Sequence, residues 1–233
     1  PAYRLPRDVL DTEIEGILYL PHGYDRSEPL PFLLHIHGGP AGVFTNSFSA
    51  SAHVWGGLGY AQLQPNVRGS SGYSDELLRG NIRDIGGGDY EDLMTGVDFV
   101  VGEGIADPDH LALRGWSYGG ILGGWTITRT DRFKAASVGA MVSDWTSEYG
   151  PGFNYDVRLW YIGGTPWENP EDWRARSPLT HVANVTTPTI IFHGMEDTTD
   201  TEPQSMMFFQ ALKDQEKTVR YIRFPREPHG FRE

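Results

Sequence analysis

Apolar positions along the chain alternate between short continuous runs and longer spaced stretches. Runs at 16–21 (GILYLP) and 31–38 (PFLLHIHG) predict strands, as do 59–67 (GYAQLQPNV) and 110–115 (HLALRG). Three more strands are expected at 133–142, 188–194 (PTIIFHG) and 218–224 (TVRYIRF). Between them, 89–102 places Leu93, Val97, Val100 and Val101 on one helical face, with acidic residues in the first turn to meet the helix dipole. Helices are also predicted over 119–129 and over 202–213, where Met206, Phe209 and Leu212 recur at helical spacing. Strands alternating with helices at this pitch imply crossover connections. The expected class is therefore α/β, a mainly parallel sheet with helices on both faces. The stretch 143–178 breaks the rhythm. It carries Trp145, Tyr149, Phe153, Tyr155, Trp160, Tyr161, Trp167 and Trp173, and reads as an aromatic insertion walling a pocket at the carboxyl ends of the strands.

Size and charge narrow the functional classes. The 233 residues fit one domain spanning 1–233, without internal repeats or low-complexity segments. Nineteen basic against 31 acidic residues give a formal charge of −12, which disfavours nucleic acid and anionic membranes as partners. No apolar run approaches the roughly 18 residues that span a bilayer. Nothing near Pro1 has the apolar core of a signal peptide, so a cytoplasmic location is expected. The absence of Cys removes disulfides, thiolate metal sites and a Cys nucleophile.

One pattern carries chemistry. Gly115-Trp116-Ser117-Tyr118-Gly119 has a strand running into it and a helix running out, the context a nucleophile elbow needs. Small flanking residues let the chain turn sharply, so that the hydroxyl stands above the sheet at the positive end of a helix. A serine needs a base, and the base an orienting carboxylate, in the order Ser, acid, His for this architecture. Of the three histidines after Ser117, His193 lies inside an apolar strand and His181 precedes the strand after which the acid is expected. His229, in the loop past the last strand, is left as the base. Asp197, in the first turn beyond 188–194, is the preferred acid, with Glu196 and Asp200 as alternatives. Oxyanion donors are expected from the N–H of Tyr118 and from the His37-Gly38-Gly39-Pro40 loop, where Gly39 is preferred and Gly38 is the alternative. Trp116, Trp145 and Arg68 are candidate pocket residues, although an Arg68 ion pair with Asp89 or Asp92 competes with substrate contact. His35 and His37 share a strand face but lack a third ligand at short range, so no metal and no cofactor is expected. Gly86-Gly87-Gly88 lacks the Lys-Ser/Thr of a phosphate loop.

HGGP at 37–40, NVRGSSGY at 66–73, GWSYGG at 115–120, HGMED at 193–197 and REPHGF at 226–231 follow one another as in the prolyl oligopeptidase family. The sequence resembles that family's catalytic domain, and most closely its acylaminoacyl-peptidase-like branch. The resemblance implies an α/β-hydrolase fold, Ser117, Asp197 and His229 as triad, and hydrolysis of short or N-acylated peptides with side activity on small esters. A carboxylesterase on short-chain esters and a catalytically silent binding module are the alternatives. Three departures set further expectations. The N-terminal β-propeller of the family's larger members is expected to be missing. Thr198-Thr199-Asp200-Thr201 replaces the family's Arg/Thr-Val-Pro turn. The chain stops at Glu233, where the family continues into a last helix covering the sheet, so exposed apolar sheet surface is expected, with either lower stability or association into homo-oligomers.

Overall fold

A computed structural model describes residues 2–8, 12–153 and 158–232. Pro1, Tyr155 and Glu233, on which earlier expectations touch, lie outside the described residues. Eight strands form one sheet: β1 (Ala2–Asp8), β2 (Thr12–Tyr19), β3 (Leu30–Ile36), β4 (Ala61–Asn66), β5 (Ala106–Trp116), β6 (Ala135–Gly139), β7 (Thr189–Gly194) and β8 (Val219–Phe224). Their order is β1-β2-β4-β3-β5-β6-β7-β8. β1 pairs with β2 and β2 with β4 antiparallel, while every pairing from β4 through β8 is parallel. The parallel pairs require crossovers, supplied by α1 (Ala50–Gly57), α3 (Gly88–Gly102), α4 (Tyr118–Arg129) and α7 (Glu202–Asp214), and between β6 and β7 by the segment 140–188. A short α2 (Asp75–Arg79), capped by the Ser74 hydroxyl, precedes α3.

Neighbouring residues of β5 show how the layers divide. Leu113 is buried and faces Gly123 of α4, whereas the next side chain, Arg114, donates from Nη1 to Ser51 Oγ of α1 at 3.0 Å. Successive strand residues point to opposite faces, so α1 and α4 cover opposite sides of the sheet. The α3/α4 side holds the continuous apolar core, including Phe32, Leu34, Leu111, Val138 and Ile191 with Leu93, Val97 and Val100. On the α1 side Ser137, Ile190, Phe192 and Ile222 remain half-buried.

The seven expected strands and three expected helices are present with shifted ends, and β1, α1 and α2 are additions. β6 is shorter than expected, because Met141 and Val142 belong to the turn that follows it, buried in the core. The 143–178 stretch folds into α5 (Trp145–Glu148), a π-helical turn (Leu159–Gly163) and α6 (Pro170–Ala175), followed by a 3₁₀ segment (Pro178–Asn184). Its aromatics pack on one another: Tyr149 meets Trp167 and Trp173 edge-on at 5.1 and 5.6 Å, and Trp173 is fully buried.

The chain leaves β3 towards β4 on one side and β5 towards β6 on the other. The carboxyl ends of β3 and β5 therefore bracket a topological switch point, where open parallel sheets bind ligands.

Candidate active site

β5 ends at Trp116 and α4 begins at Tyr118, which leaves Ser117 alone at the corner with φ 58° and ψ −127°. A non-glycine residue with positive φ is held there only by its surroundings. Ser117 N–H donates to Gly139 O at 3.0 Å and Ser117 O accepts from Ile121 N at 2.9 Å, so both sides of the corner are fixed. A side chain at Gly119 would collide with the Ile36 carbonyl, so glycine is required for α4 to start this close to β3.

His229 reaches the serine from the loop after β8, its Nε2 lying 2.8 Å from Ser117 Oγ. Its Nδ1 lies 2.8 Å from Asp197 Oδ2. A carboxylate only accepts, so Nδ1 carries the hydrogen and Nε2 is left to accept from the serine hydroxyl. Asp197 follows β7, and its side chain is completely buried. Its Oδ1 accepts from the N–H of Thr199 at 2.9 Å and of Asp200 at 3.1 Å. Burial alone would raise the Asp197 pKa, but the bonds from His193, His229 and the Thr199 N–H hold it well below the usual carboxylate range. Burial works against the charged form of His229 too, yet the adjacent Asp197 carboxylate prevails and raises its pKa. Of the two alternative acids, Glu196 is exposed and Asp200 points its carboxyl at Arg158.

Three contacts hold the histidine loop. Glu196 N–H donates to Glu227 O at 3.0 Å, and the Trp116 indole donates from Nε1 to the backbone carbonyl of His229 at 2.8 Å. Phe231 sits between Trp116 and Phe224, with ring centroids 4.6 and 4.3 Å away. The His37–Pro40 loop follows β3. A methyl group on Gly38 would stand 3.3 Å from Ser117 Cβ, so the loop lies directly against the serine. Gly39 has φ 130°, open in practice to glycine alone. Tyr118 is the first residue of α4, where backbone N–H groups have no acceptor within the helix.

Beside the serine is a pocket of about 70 Å³ with apolar walls from Pro40, Ile85, Ile121, Trp145 and Tyr161. Gly39, Ser117, Tyr118, Arg158, Thr199 and Asp200 complete the lining. Arg158 Nη2 approaches Thr199 O at 3.1 Å and both Asp200 Oδ1 and Glu148 Oε1 at 3.4 Å. Glu148, fully buried, also accepts from the Thr201 N–H at 2.8 Å. Burial pushes the Asp200 pKa up to about 6 against the pull of His229 and Arg158.

Of the three candidate pocket residues, only Trp145 lines this pocket. Trp116 lies on the other side of the serine, bonded to the histidine loop, because the elbow turns its side chain away from the pocket. Arg68 is buried with both arms on Asp92 (Nη2–Oδ1 2.7 Å, Nε–Oδ2 3.0 Å), which corrects substrate contact to an internal ion pair. His35 and His37 also turn inward, towards Gln62 and Gln64 in the first case and Ser70 in the second. Glu148 and Arg158 were not anticipated. Ten residues apart in an irregular segment, they carry no periodic signal; an acidic and a basic residue within the aromatic insertion are the only hint.

The prolyl oligopeptidase family matches residues 46–233. Peptidase YuxL of Bacillus subtilis is 35% identical over 219 residues, 93% of this chain and 33% of its own length. The acylamino-acid-releasing enzyme of Arabidopsis thaliana is 30% identical over 85% of this chain and 27% of its own. The chain thus spans a third or less of the length of these curated relatives. Among solved structures, the Pyrococcus horikoshii acylaminoacyl peptidase superposes with a TM-score of 0.92 at 31% identity, over 99% of this chain and 37% of that one. A Mycobacterium tuberculosis puromycin-hydrolyzing peptidase gives 0.94 at 30% identity, over 99% and 36%. With an α/β-hydrolase sheet, a serine on a strained elbow and a family match over most of its length, the chain belongs to the prolyl oligopeptidase family.

Proposed function

We propose that this chain is the catalytic part of a serine peptidase, and that Ser117, His229 and Asp197 are its triad. The observation that carries the reading is the unbroken line of hydrogen bonds from Ser117 Oγ through the His229 ring to the buried Asp197 carboxylate, each 2.8 Å. Ser117 Oγ attacks the scissile carbonyl carbon while His229 Nε2 takes its proton. The negative charge that develops on the carbonyl oxygen is met by the N–H groups of Tyr118 and Gly39. His229 then protonates the leaving amine, leaving an acyl-enzyme, and the same groups act on water to release the acid. Asp197 keeps the hydrogen on Nδ1 and favours the imidazolium that forms at each step.

The apolar pocket beside Ser117 suits an aliphatic or aromatic side chain next to the scissile bond. Short or N-acylated peptides are the proposed substrates, in line with relatives named as acylaminoacyl peptidases. Small esters are proposed as side substrates, because the same triad cleaves them more easily than amides. An organophosphate should label the chain at Ser117 alone, and Ser117→Ala should abolish the label. Undiminished labelling of the alanine variant would reject the assignment. Comparing kcat/KM for an acyl-aminoacyl amide and for p-nitrophenyl butyrate then tests peptidase against esterase: an amide rate negligible beside the ester rate would favour the esterase.

A further inference from the structure

We infer that the pocket beside Ser117 takes a cationic side chain of lysine type, its stem against the apolar walls and its ammonium on the Asp200 carboxylate. The inference deepens the proposed function and rests on its reading of Ser117 as nucleophile and of this pocket as the seat of the side chain next to the scissile bond. Ser117 and Asp200 line one pocket, whose apolar wall comes from Ile121, Trp145 and Tyr161 among others. A lysine side chain has the matching composition, a four-carbon stem ending in a compact charge.

The charge at the polar part of the pocket decides the sign of the ligand. One guanidinium, Arg158, is shared by two carboxylates, Glu148 and Asp200, each 3.4 Å from its Nη2. When both acids are ionised, the three groups carry one net negative charge. Arg158 is also engaged by the backbone, Nη1 donating to Glu148 O and Nη2 to Thr199 O, both at 3.1 Å. A substrate carboxylate would be a third anion on one cation, whereas an ammonium meets the excess charge. Glu148 has no exposed surface, and its oxygens are taken: Oε1 accepts from the Thr201 N–H at 2.8 Å and Oε2 from the Thr201 hydroxyl at 2.5 Å.

Asp200 differs from it. Among the described residues, the one donor to its carboxylate is Arg158, at the long distance of 3.4 Å. A carboxylate offers about four lone-pair sites, so most of its accepting capacity is left for a ligand in the pocket. It belongs to the stretch 198–201, where this sequence departs from the family's turn. Burial raises the Asp200 pKa to about 6, with His229 and Arg158 pulling it down and Asp197 and Glu148 pushing it up. The group is therefore mostly ionised at neutral pH, and a bound cation stabilises that form. The two tyrosines of the lining, Tyr118 and Tyr161, stay neutral, burial raising both pKa values.

The test measures kcat/KM on the methyl esters of N-acetyl-lysine, N-acetyl-norleucine and N-acetylglutamate. Norleucine has the lysine stem without the ammonium, and an ester makes the comparison independent of amide cleavage. A hydrogen bond between charged partners predicts a lysine rate roughly ten- to a hundredfold above norleucine at neutral pH, with glutamate slowest. Asp200→Asn keeps the shape and removes the charge, so the lysine-to-norleucine ratio should fall towards unity. Any effect of that variant on His229 acts on both substrates and cancels in the ratio. Wild-type protein supplies a second reading should the variant fail to fold. As pH falls through about 6, protonation of Asp200 should shrink the ratio, while loss of neutral His229 lowers both rates alike. Norleucine cleaved as fast as lysine at neutral pH, a ratio unmoved by Asp200→Asn or by pH, or a preference for glutamate would each overturn the inference. In all three cases ester turnover stands, whereas wild-type protein that cleaves none of the esters would instead reject the active-site reading beneath it.

Discussion

Trp116 and Ser117 adjoin in sequence but diverge in space, the hydroxyl beside the pocket and the indole against the histidine loop. The indole grips the carbonyl of the residue whose ring must stay 2.8 Å from the serine, so its bond restrains the loop where restraint matters. Trp116→Phe keeps an aromatic ring beside Phe231 and loses the N–H together with part of the indole surface packed on Gly139. A net hydrogen bond of about 1 kcal/mol predicts roughly a fivefold fall in kcat/KM with little change in melting temperature. A fall in melting temperature with catalysis intact would mean that the indole serves the fold alone. At the other end of the proposed triad, Asp197 raises the pKa of His229. The reaction needs the imidazole neutral, so activity should decline as pH falls through that raised value, above the ordinary histidine range near 6.5. Asp197→Asn removes the cause. The acid limb of the kcat/KM profile should move to lower pH, and the plateau should drop by about 10⁴, as in the template triad.

At the scale of elements, the pocket wall is tied to the acid turn by charge. Arg158, at the start of the π-helical turn, bonds Glu148 at the end of α5 and Asp200 ahead of α7, all three buried. Removing one partner from such a group leaves uncompensated charge in the interior. Arg158→Met should therefore cost about 3–5 kcal/mol, read from urea unfolding midpoints, and adding Glu148→Gln should restore part of it. A loss below ~1 kcal/mol would mean that the cluster is well hydrated. Long-range pairings of this kind also mark where the sequence stopped being readable. β3, β5, β7, α3 and α4 announce themselves through local periodicity, and the elbow through its neighbours at 115–120. β1 (AYRLPRD) has charges and a proline where an edge strand tolerates them, and α1 (ASAHVWGG) has no apolar stripe and two glycines, so neither pattern stands out. The direction of a side chain at a corner is equally silent. Nothing in GWSYGG tells that Trp116 faces the histidine loop, and nothing in NVRGSSGY gives Ser70 to His37; for Arg68 the sequence offers an ion pair with Asp89 or Asp92 but does not choose between them or against a substrate. Those assignments belong to tertiary contacts, and only the fold supplies them.

For the whole molecule, stability against pH is a contest between buried groups of opposite sign. Burial raises the Asp89 pKa to about 7, although Tyr118 O–H and Tyr90 N–H donate to its carboxylate. In the unfolded chain an aspartate titrates near 3.8. Between these values the folded state holds a proton that the unfolded state has lost, so this group makes stability fall as pH rises from about 4 to 7. Asp200 adds a slope of the same sign up to about 6. His35 acts oppositely. Burial first, then Arg114 and His37, lower its pKa to about 3, so in the acid range the unfolded state binds the extra proton and stability rises with pH up to the ordinary 6.5. The two slopes overlap and hide each other in a single melting curve, but a difference curve separates them. Asp89→Asn keeps an acceptor for the Tyr118 hydroxyl and removes the titration. Whatever constant offset the amide brings, the variant's stability relative to wild type should climb from pH 4 to pH 7, by at most about 1.4 kcal/mol per pH unit, and level off above. Paired urea titrations at unit pH steps measure that climb. A flat difference would show that Asp89 is ionised in the folded protein throughout, with the Tyr118 and Tyr90 hydrogen bonds outweighing its burial.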